Sequence, residues 1–410
     1  MIDGWQYHEY NTTMSTVKTL KSRIRPYTAF LLFNLVFFMM DTAGGYFNMY
    51  LDGIGMSKTS IGLVTSISAL VAMMFQPALG GFADRAKSKT RTLAGAILLT
   101  ALLYPMLLIS KSIWWLLPAY TIYSIFRRFQ PSLNTSISLE FSEVTGGRYG
   151  PIRMMGAIGY AGTMAVMGGI ADLGVNWTFW AYTVVCLINV GAIMLLPDIG
   201  LKESATVRSP TLALLRRKPV LKLVVYAMLM SLAQGLFFSY FSIYLTQDLG
   251  GSPGLYGMIL SAAAVCEIPF LFFADRILRK LGAKRMLLLI GLTGSLRWFC
   301  TYWVQDPVMQ TPVQSLNFLN ILRQVTVSLV LSRMVPPQFK TTAQTIVNMV
   351  MSIASLTVSS LLGGVLADAL GIRPLFLIAG VLTCVTAVGF HVFVFGNDLT
   401  EDVDYCTPSR

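Results

Sequence analysis

Phe82-Ala83-Asp84-Arg85 closes one long apolar run, and Phe273-Ala274-Asp275-Arg276 closes another 191 residues further on. Gly168-Gly169-Ile170-Ala171-Asp172 is echoed by Gly363-Gly364-Val365-Leu366-Ala367-Asp368 at an offset of about 195. One four-residue match would carry little weight. Two matches in the same order at nearly one offset indicate an internal repeat of almost half the chain. Both pairs fall at the ends of apolar runs, so the repeating unit is a set of membrane spans.

A helix needs about 20 mostly apolar residues to cross a bilayer. Twelve such runs are expected, at 27–50, 59–82, 92–110, 113–138, 152–172, 175–197, 220–247, 254–275, 285–304, 312–334, 342–367 and 374–396. They are continuous rather than alternating, the pattern of helices and not of barrel strands. The expected fold class is an all-α membrane protein of twelve transmembrane helices in two six-helix pseudo-repeats. The polar stretch 198–219 is the longest connection between spans and reads as a cytoplasmic linker. It divides an N-terminal tail (1–26) and bundle (27–197) from a second bundle (220–396) and a C-terminal tail (397–410). The polar lead of about 26 residues and Asp41 within the first span argue against a cleaved signal peptide.

Composition agrees. Hydrophobic residues make up 55% of the 410 and charged ones 12%, too few to cover a soluble domain. Mean hydropathy is +0.64. The five cysteines stand singly, without a Cys-x-x-Cys, which excludes zinc sites of known spacing and argues against a disulfide framework. The two histidines, His8 and His391, lie near the termini, so a histidine-based catalytic centre is not expected. There is no Gly-x-x-x-x-Gly-Lys-Ser/Thr loop for ATP. The expectation is no enzyme, no cofactor and no metal.

The net charge of +12 is a topology signal rather than a nucleic-acid footprint. Of the 31 Lys and Arg, three (Lys58, Lys111 and Arg373) lie in the loops that follow odd-numbered spans, and four (Arg127, Arg128, Arg297 and Arg323) lie deep inside spans. The rest fall in the two tails, the opposite loops and the span ends that adjoin those loops, including Arg85, Lys87, Lys89 and Arg91. Both termini are therefore expected in the cytoplasm, in a multi-pass protein of the cytoplasmic membrane.

The ladder, linker and repeat resemble the major facilitator superfamily across nearly the whole chain. Gly81-Phe82-Ala83-Asp84-Arg85-Ala86-Lys87-Ser88-Lys89 is similar to its loop motif Gly-x-x-x-Asp-Arg/Lys-x-Gly-x-Arg/Lys, with Lys87 where the second Gly is usual. Within the superfamily the chain looks most like the lactose permease and oligosaccharide–proton symporter branch, with its phenylpropionate and nucleoside permease relatives. Tyr149-Gly150-Pro151-Ile152-Arg153-Met154-Met155-Gly156 resembles that branch's Phe/Tyr-Gly-x-x-Arg-x-x-Gly. Phe75-Gln76-Pro77 with Gly80, and Arg297 after Leu281-Gly282-Ala283-Lys284, carry the same likeness. The resemblance implies alternating access around a cavity lined by spans one, four, seven and ten.

Ionisable groups inside spans cost about 2.5–3.5 kcal/mol each and usually face a cavity or a partner. Asp41 lies about fourteen residues into span one, roughly 21 Å from its cytoplasmic end. Arg127 and Arg128 in span four lie at a depth that lets one of them reach it. They point ~100° apart, so both cannot face Asp41 equally. Such pairs couple protons in the resembled family, which makes Asp41 the expected proton acceptor; a permanent structural ion pair is the alternative. Glu267 in span eight and Arg297 in span nine lie at similar depth, either as a structural pair or as a substrate or proton contact. The branch carries a sugar-binding Glu about one turn before Glu267. In span ten, Asn317, Asn320 and Gln324 share a helix face and Arg323 sits one position off it, a polar stripe expected to bind substrate hydroxyls or an anion, with hydrogen bonds between helices as the alternative. Gln234 in span seven is a further polar position near the expected cavity. The resemblance makes Arg153 a sugar-binding residue; a lipid-phosphate anchor is its alternative. It also implies that Asp84, Arg85, Asp275 and Arg276 latch the two halves on the cytoplasmic side, where they would otherwise be ordinary topology charges. The family's acidic and His relay in span ten is absent, so that relay is not carried over.

The expected function is secondary active transport, with proton-coupled uptake of an oligosaccharide or glycoside by a monomer in the bilayer. The alternatives are an importer of organic anions such as aromatic acids, or of nucleosides; a drug or lipid exporter by proton antiport; and a transport-inactive sensor.

Overall fold

The computed structural model describes residues 26–86, 88–145, 149–194, 196, 218–335 and 340–394. The side chains of Asp84, Arg153 and Asp275 lie outside the described part, as do the two tails and nearly all of the linker 198–219.

Each expected span is helical over most of its described residues. Among the described residues, eight helices are long and apolar enough to cross a membrane. The other four expected spans are helical as Lys89–Met106, Ile113–Thr145, Ala274–Trp303, and the segmented run Gln310–Ser315, Leu316–Leu319 and Ile321–Met334. These include all four of the span arginines, which lower their apolar character. Trp114, Trp177, Trp180 and Trp303 are exposed at the ends away from the basic loops, where indole rings suit the bilayer interface.

Local chemistry sets the helix starts. Ser57 precedes span two (Lys58–Arg85) and its hydroxyl accepts the Ser60 N–H at 3.1 Å. Ser88 does the same for span three (Lys89–Met106), accepting the Arg91 N–H at 3.2 Å. Each side-chain oxygen satisfies one of the orphan donors of a first helical turn.

Span nine starts earlier than its apolar run. Helix begins at Ala274, and Gly282 interrupts it with φ 74° and ψ 157°, a conformation only glycine adopts freely. The basic segment expected as a loop is thus a short helix of its own. It folds because Leu278 buries against Met286, Ile290 and Leu322 while Arg276 and Arg279 stay outside.

Two spans break at mid-length into 3-10 turns: span one at Met40–Thr42, between Pro26–Met39 and Ala43–Gly53, and span ten at Leu316–Leu319. Spans seven, eleven and twelve contain π-helical turns at Tyr244–Asp248, Ile353–Val358 and Phe390–Val394. Such irregular turns often mark functional positions within helices.

Span five packs tightly on span one, because a Cβ at Gly159 would strike the backbone of Leu35. The two halves meet at the end remote from the basic loops. There the Asp172 carboxylate, ending span five, accepts the Gly254 N–H of span eight at 2.6 Å. The Asp368 carboxylate, ending span eleven, accepts the N–H groups of Lys58 and Thr59 at 2.9 and 2.8 Å. Asn48 Nδ2 donates to the Ser239 carbonyl at 2.9 Å. Gly62 lies against the Ser360 carbonyl, and Gly257 against that of Met164, each too close to admit a Cβ.

Candidate functional site

Between the halves lies a cavity of two lobes, of about 340 and 350 Å³. Both share Asp41, Tyr160, Phe238 and Leu260 as walls. Each lobe falls within the range of small-molecule sites, about 300–1,000 Å³.

The first lobe is built on spans one and four. The 3-10 turn puts Asp41 on the cavity wall, half-exposed to it. Arg127 donates through Nη2 to Asp41 Oδ1, and the two form an ion pair. Gln130 Oε1 lies 3.5 Å from Arg127 Nη1, while its amide nitrogen donates to the Ala96 carbonyl and the Thr100 hydroxyl, both at 3.0 Å. Gln130 is buried and anchored, so it holds Arg127 from behind. Arg128 lines the same lobe without reaching Asp41. Tyr120, Ser124, Arg127, Arg128 and Pro131 recur at one to two helical turns along span four and all line the lobe.

The second lobe is built on spans seven to ten. Arg297 is buried, only 2% exposed, and donates Nη2 to Gln234 Oε1 at 2.8 Å. Its guanidinium carbon lies 3.8 Å from the Trp298 ring centre and 5.0 Å from that of Phe237. Cation–π contacts and one hydrogen bond fix it in place. Glu267 accepts the Asn317 amide N–H at 2.7 Å, joining span eight to the 3-10 turn of span ten. Gln314 completes the wall and donates to the Thr301 hydroxyl at 2.9 Å.

The span-ten polar stripe is divided. Asn317 faces the second lobe, and Asn320 lines a small cleft behind it beside Arg297. Arg323 turns to span seven, donating Nη1 to the Ser231 hydroxyl at 2.9 Å. Gln324 is exposed and lines neither lobe. The reason is the 3-10 turn: each of its residues advances about 120° instead of 100°, so the faces on either side of it are out of register. Arg85 and Arg276 are exposed on the basic end. Arg153 is in the first turns of span five, Asp84 is at the end of span two and Asp275 is in the first turn of the helix that begins at Ala274, not at the end of span eight as expected, but their side chains lie outside the described part.

Several lining residues escape sequence reasoning. Tyr160 stands between the lobes, and Tyr120, Tyr123 and Gln314 line them. An aromatic ring facing a cavity has the same local sequence as one facing lipid. The spacing of Tyr120 and Ser124 ahead of Arg128, at four-residue steps, was the available signal.

A chain of apolar helices whose halves enclose a polar cavity, and whose fold is that of the major facilitator carriers, is a multi-pass secondary transporter of small molecules and not an enzyme. The chain belongs to the MFS_1 like family, whose model matches residues 27–378. It is similar to the maltose permease of Geobacillus stearothermophilus, 26% identical over 368 residues, covering 87% of this chain and 91% of that protein. It is also similar to the raffinose permease of Escherichia coli, 25% identical over 294 residues, covering 65% of this chain and 69% of that protein. Among solved structures, the nucleoside transporter NupG superposes with a TM-score of 0.75 at 17% identity, over 90% of this chain and 98% of that one. At that identity the likeness is one of fold.

Proposed function

We propose that this protein takes up an oligosaccharide or glycoside together with protons, by alternating access across the cytoplasmic membrane, as a monomer with both termini inside. The observation that carries the reading is the Asp41–Arg127 ion pair on the wall of the central cavity. A carboxylate oxygen engaged by a guanidinium and one holding a proton are competing states of the same group. Substrate hydroxyls that draw Arg127 away leave Asp41 to take a proton. Substrate and proton then favour one another, which is the linkage a symporter requires.

The maltose and raffinose permeases among its relatives support a sugar, as does the second lobe. Glu267, Asn317 and Gln234 offer acceptors and donors suited to hydroxyls, and Phe237 and Phe238 offer rings for a sugar face. Arg297 is held rigid for the same purpose. Asn320 backs the sugar wall beside Arg297, and Arg323 braces span ten against span seven through Ser231. Arg153 extends the sugar site from span five. Asp84, Arg85, Asp275 and Arg276 serve as the latch at the basic end. A second reading, import of an organic anion, is favoured by the surplus of arginines over carboxylates around the cavity.

The test is transport by Asp41→Asn in proteoliposomes with radiolabelled maltose. The expected result is loss of accumulation against a gradient with exchange across the membrane retained. Uphill accumulation by the variant would remove Asp41 from coupling.

A further inference from the structure

We propose that Arg128 anchors a negative charge on the substrate, and that the substrate is a glycoside bearing a single carboxylate: a uronide. The inference rests on the transport reading above and adds the charge class of the ligand.

The charges of the first lobe do not balance. Arg127 and Arg128 both line it, and Asp41 is the carboxylate on its wall. Arg127 takes Asp41. Arg128 makes no hydrogen bond or ion pair among the described residues, and its Nε is shut away from solvent without a partner. The nearby polar walls, Tyr120, Tyr123 and Ser124, carry no charge to offset it. An uncompensated guanidinium in a membrane protein's interior is costly, and natural sequences retain one where a partner arrives.

The partner's chemistry follows from the charge count. One unpaired guanidinium matches one negative charge, and its planar fork matches a carboxylate through two parallel hydrogen bonds. A phosphate monoester brings nearly two charges and would leave one unmatched. The second lobe is different in kind: Arg297 and Glu267 carry opposite charges there, and Gln234 and Asn317 supply neutral amides. That wall suits hydroxyls. The lobes share Asp41, Tyr160, Phe238 and Leu260, so one ligand of disaccharide size spans both. Its uncharged sugar ring faces Glu267 and its carboxylate faces Arg128.

The experiment measures equilibrium binding to the purified full-length protein in lipid nanodiscs, by tryptophan fluorescence. The ligands are maltose, a disaccharide with one glucuronic acid, a disaccharide phosphate and phenylpropionate. The expected result is that the uronide binds roughly ten- to a hundredfold more tightly than maltose, the range of one charge-assisted contact. That ratio should collapse towards one in Arg128→Gln and be partly kept in Arg128→Lys, which retains the charge and controls for folding. Equal or tighter binding of maltose overturns the proposal and leaves the glycoside reading standing. Preference for the phosphate overturns the choice of a carboxylate. Arg128-dependent binding of phenylpropionate, without binding of either sugar, upholds the anion anchor and sinks the glycoside. No binding of any ligand contradicts both.

Discussion

Asp172 and Asp368 do the same work in opposite halves of the molecule. Each ends a span, and each carboxylate crosses to the other half to accept backbone N–H groups at the first turn of a helix: Gly254 for Asp172, Lys58 and Thr59 for Asp368. Asp172 and Asp368 are 196 positions apart, and so are Lys58 and Gly254. The repeat visible in the sequence is therefore a repeat of contacts between the halves. A carboxylate at a helix N-terminus also favours the positive end of the helix dipole. Together the two clamps close the end of the cavity away from the basic loops.

Removing both clamps should loosen that closure. In Asp172→Ala/Asp368→Ala, a cysteine placed at Ser124 on the cavity wall should react several-fold faster with a membrane-impermeant thiol reagent added from outside. Asp172→Asn/Asp368→Asn keeps an acceptor oxygen on each side and should show a smaller rise. Unchanged labelling in the alanine double variant would mean that the glycine contacts alone hold this end shut.

Two glycines should behave differently on replacement. A Cβ at Gly159 meets the Leu35 backbone within one half, whereas a Cβ at Gly257 meets the Met164 carbonyl across the halves. Gly159→Ala should lower the thermal stability of the purified protein, at the ~1–3 kcal/mol cost of overpacking. Gly257→Ala should leave stability nearly intact, because the halves can part, and should instead raise labelling of the Ser124 cysteine. Equal melting temperatures for the two variants would contradict this division.

Gln234 should matter through Arg297. Gln234→Leu leaves Arg297 Nη2 without its acceptor in a buried place, a loss of about 1–3 kcal/mol. The expected outcome is a lower melting temperature together with weaker substrate binding. Gln234→Glu keeps an acceptor and should retain stability. If Gln234→Leu melts as the parent does, the aromatic contacts with Trp298 and Phe237 suffice to hold the guanidinium.

The Asp41–Arg127 pair should show in a double-mutant cycle. Removing one member leaves the other charge on the cavity wall unmatched. Asp41→Asn/Arg127→Gln should be more stable than the sum of the single losses predicts, by about 1 kcal/mol for a partly solvated pair. Strict additivity would deny a direct interaction. The same cycle with Arg128→Gln should be close to additive.

Much of the architecture is legible in the sequence because a bilayer demands long apolar runs, and those runs cannot hide. The positions of Asp41, Arg127, Glu267 and Arg297 are legible for the converse reason: a charge in such a run stands out. Which arginine meets Asp41 is not, since Arg127 and Arg128 differ only by a 100° turn and the choice depends on how span one approaches span four. The 3-10 turns at Met40–Thr42 and Leu316–Leu319 have no local signature, so the polar stripe Asn317, Asn320 and Gln324 reads as one face although the helix divides it. The motif ending in Asp172 is visible as a repeat, yet its contact with Gly254 is a relation between spans that no single stretch of chain contains.

Proton coupling through Asp41 is what would make this transporter a symporter. The direct measurement is external pH in a lightly buffered suspension of de-energised cells making this protein, after addition of oligosaccharides, glycosides, uronides, nucleosides and aromatic acids in turn. Alkalinisation is expected on addition of a sugar or uronide, and is expected to be absent in Asp41→Asn. Alkalinisation that persists in Asp41→Asn, or none with any of these compounds while the protein is present in the membrane, would contradict proton coupling through Asp41.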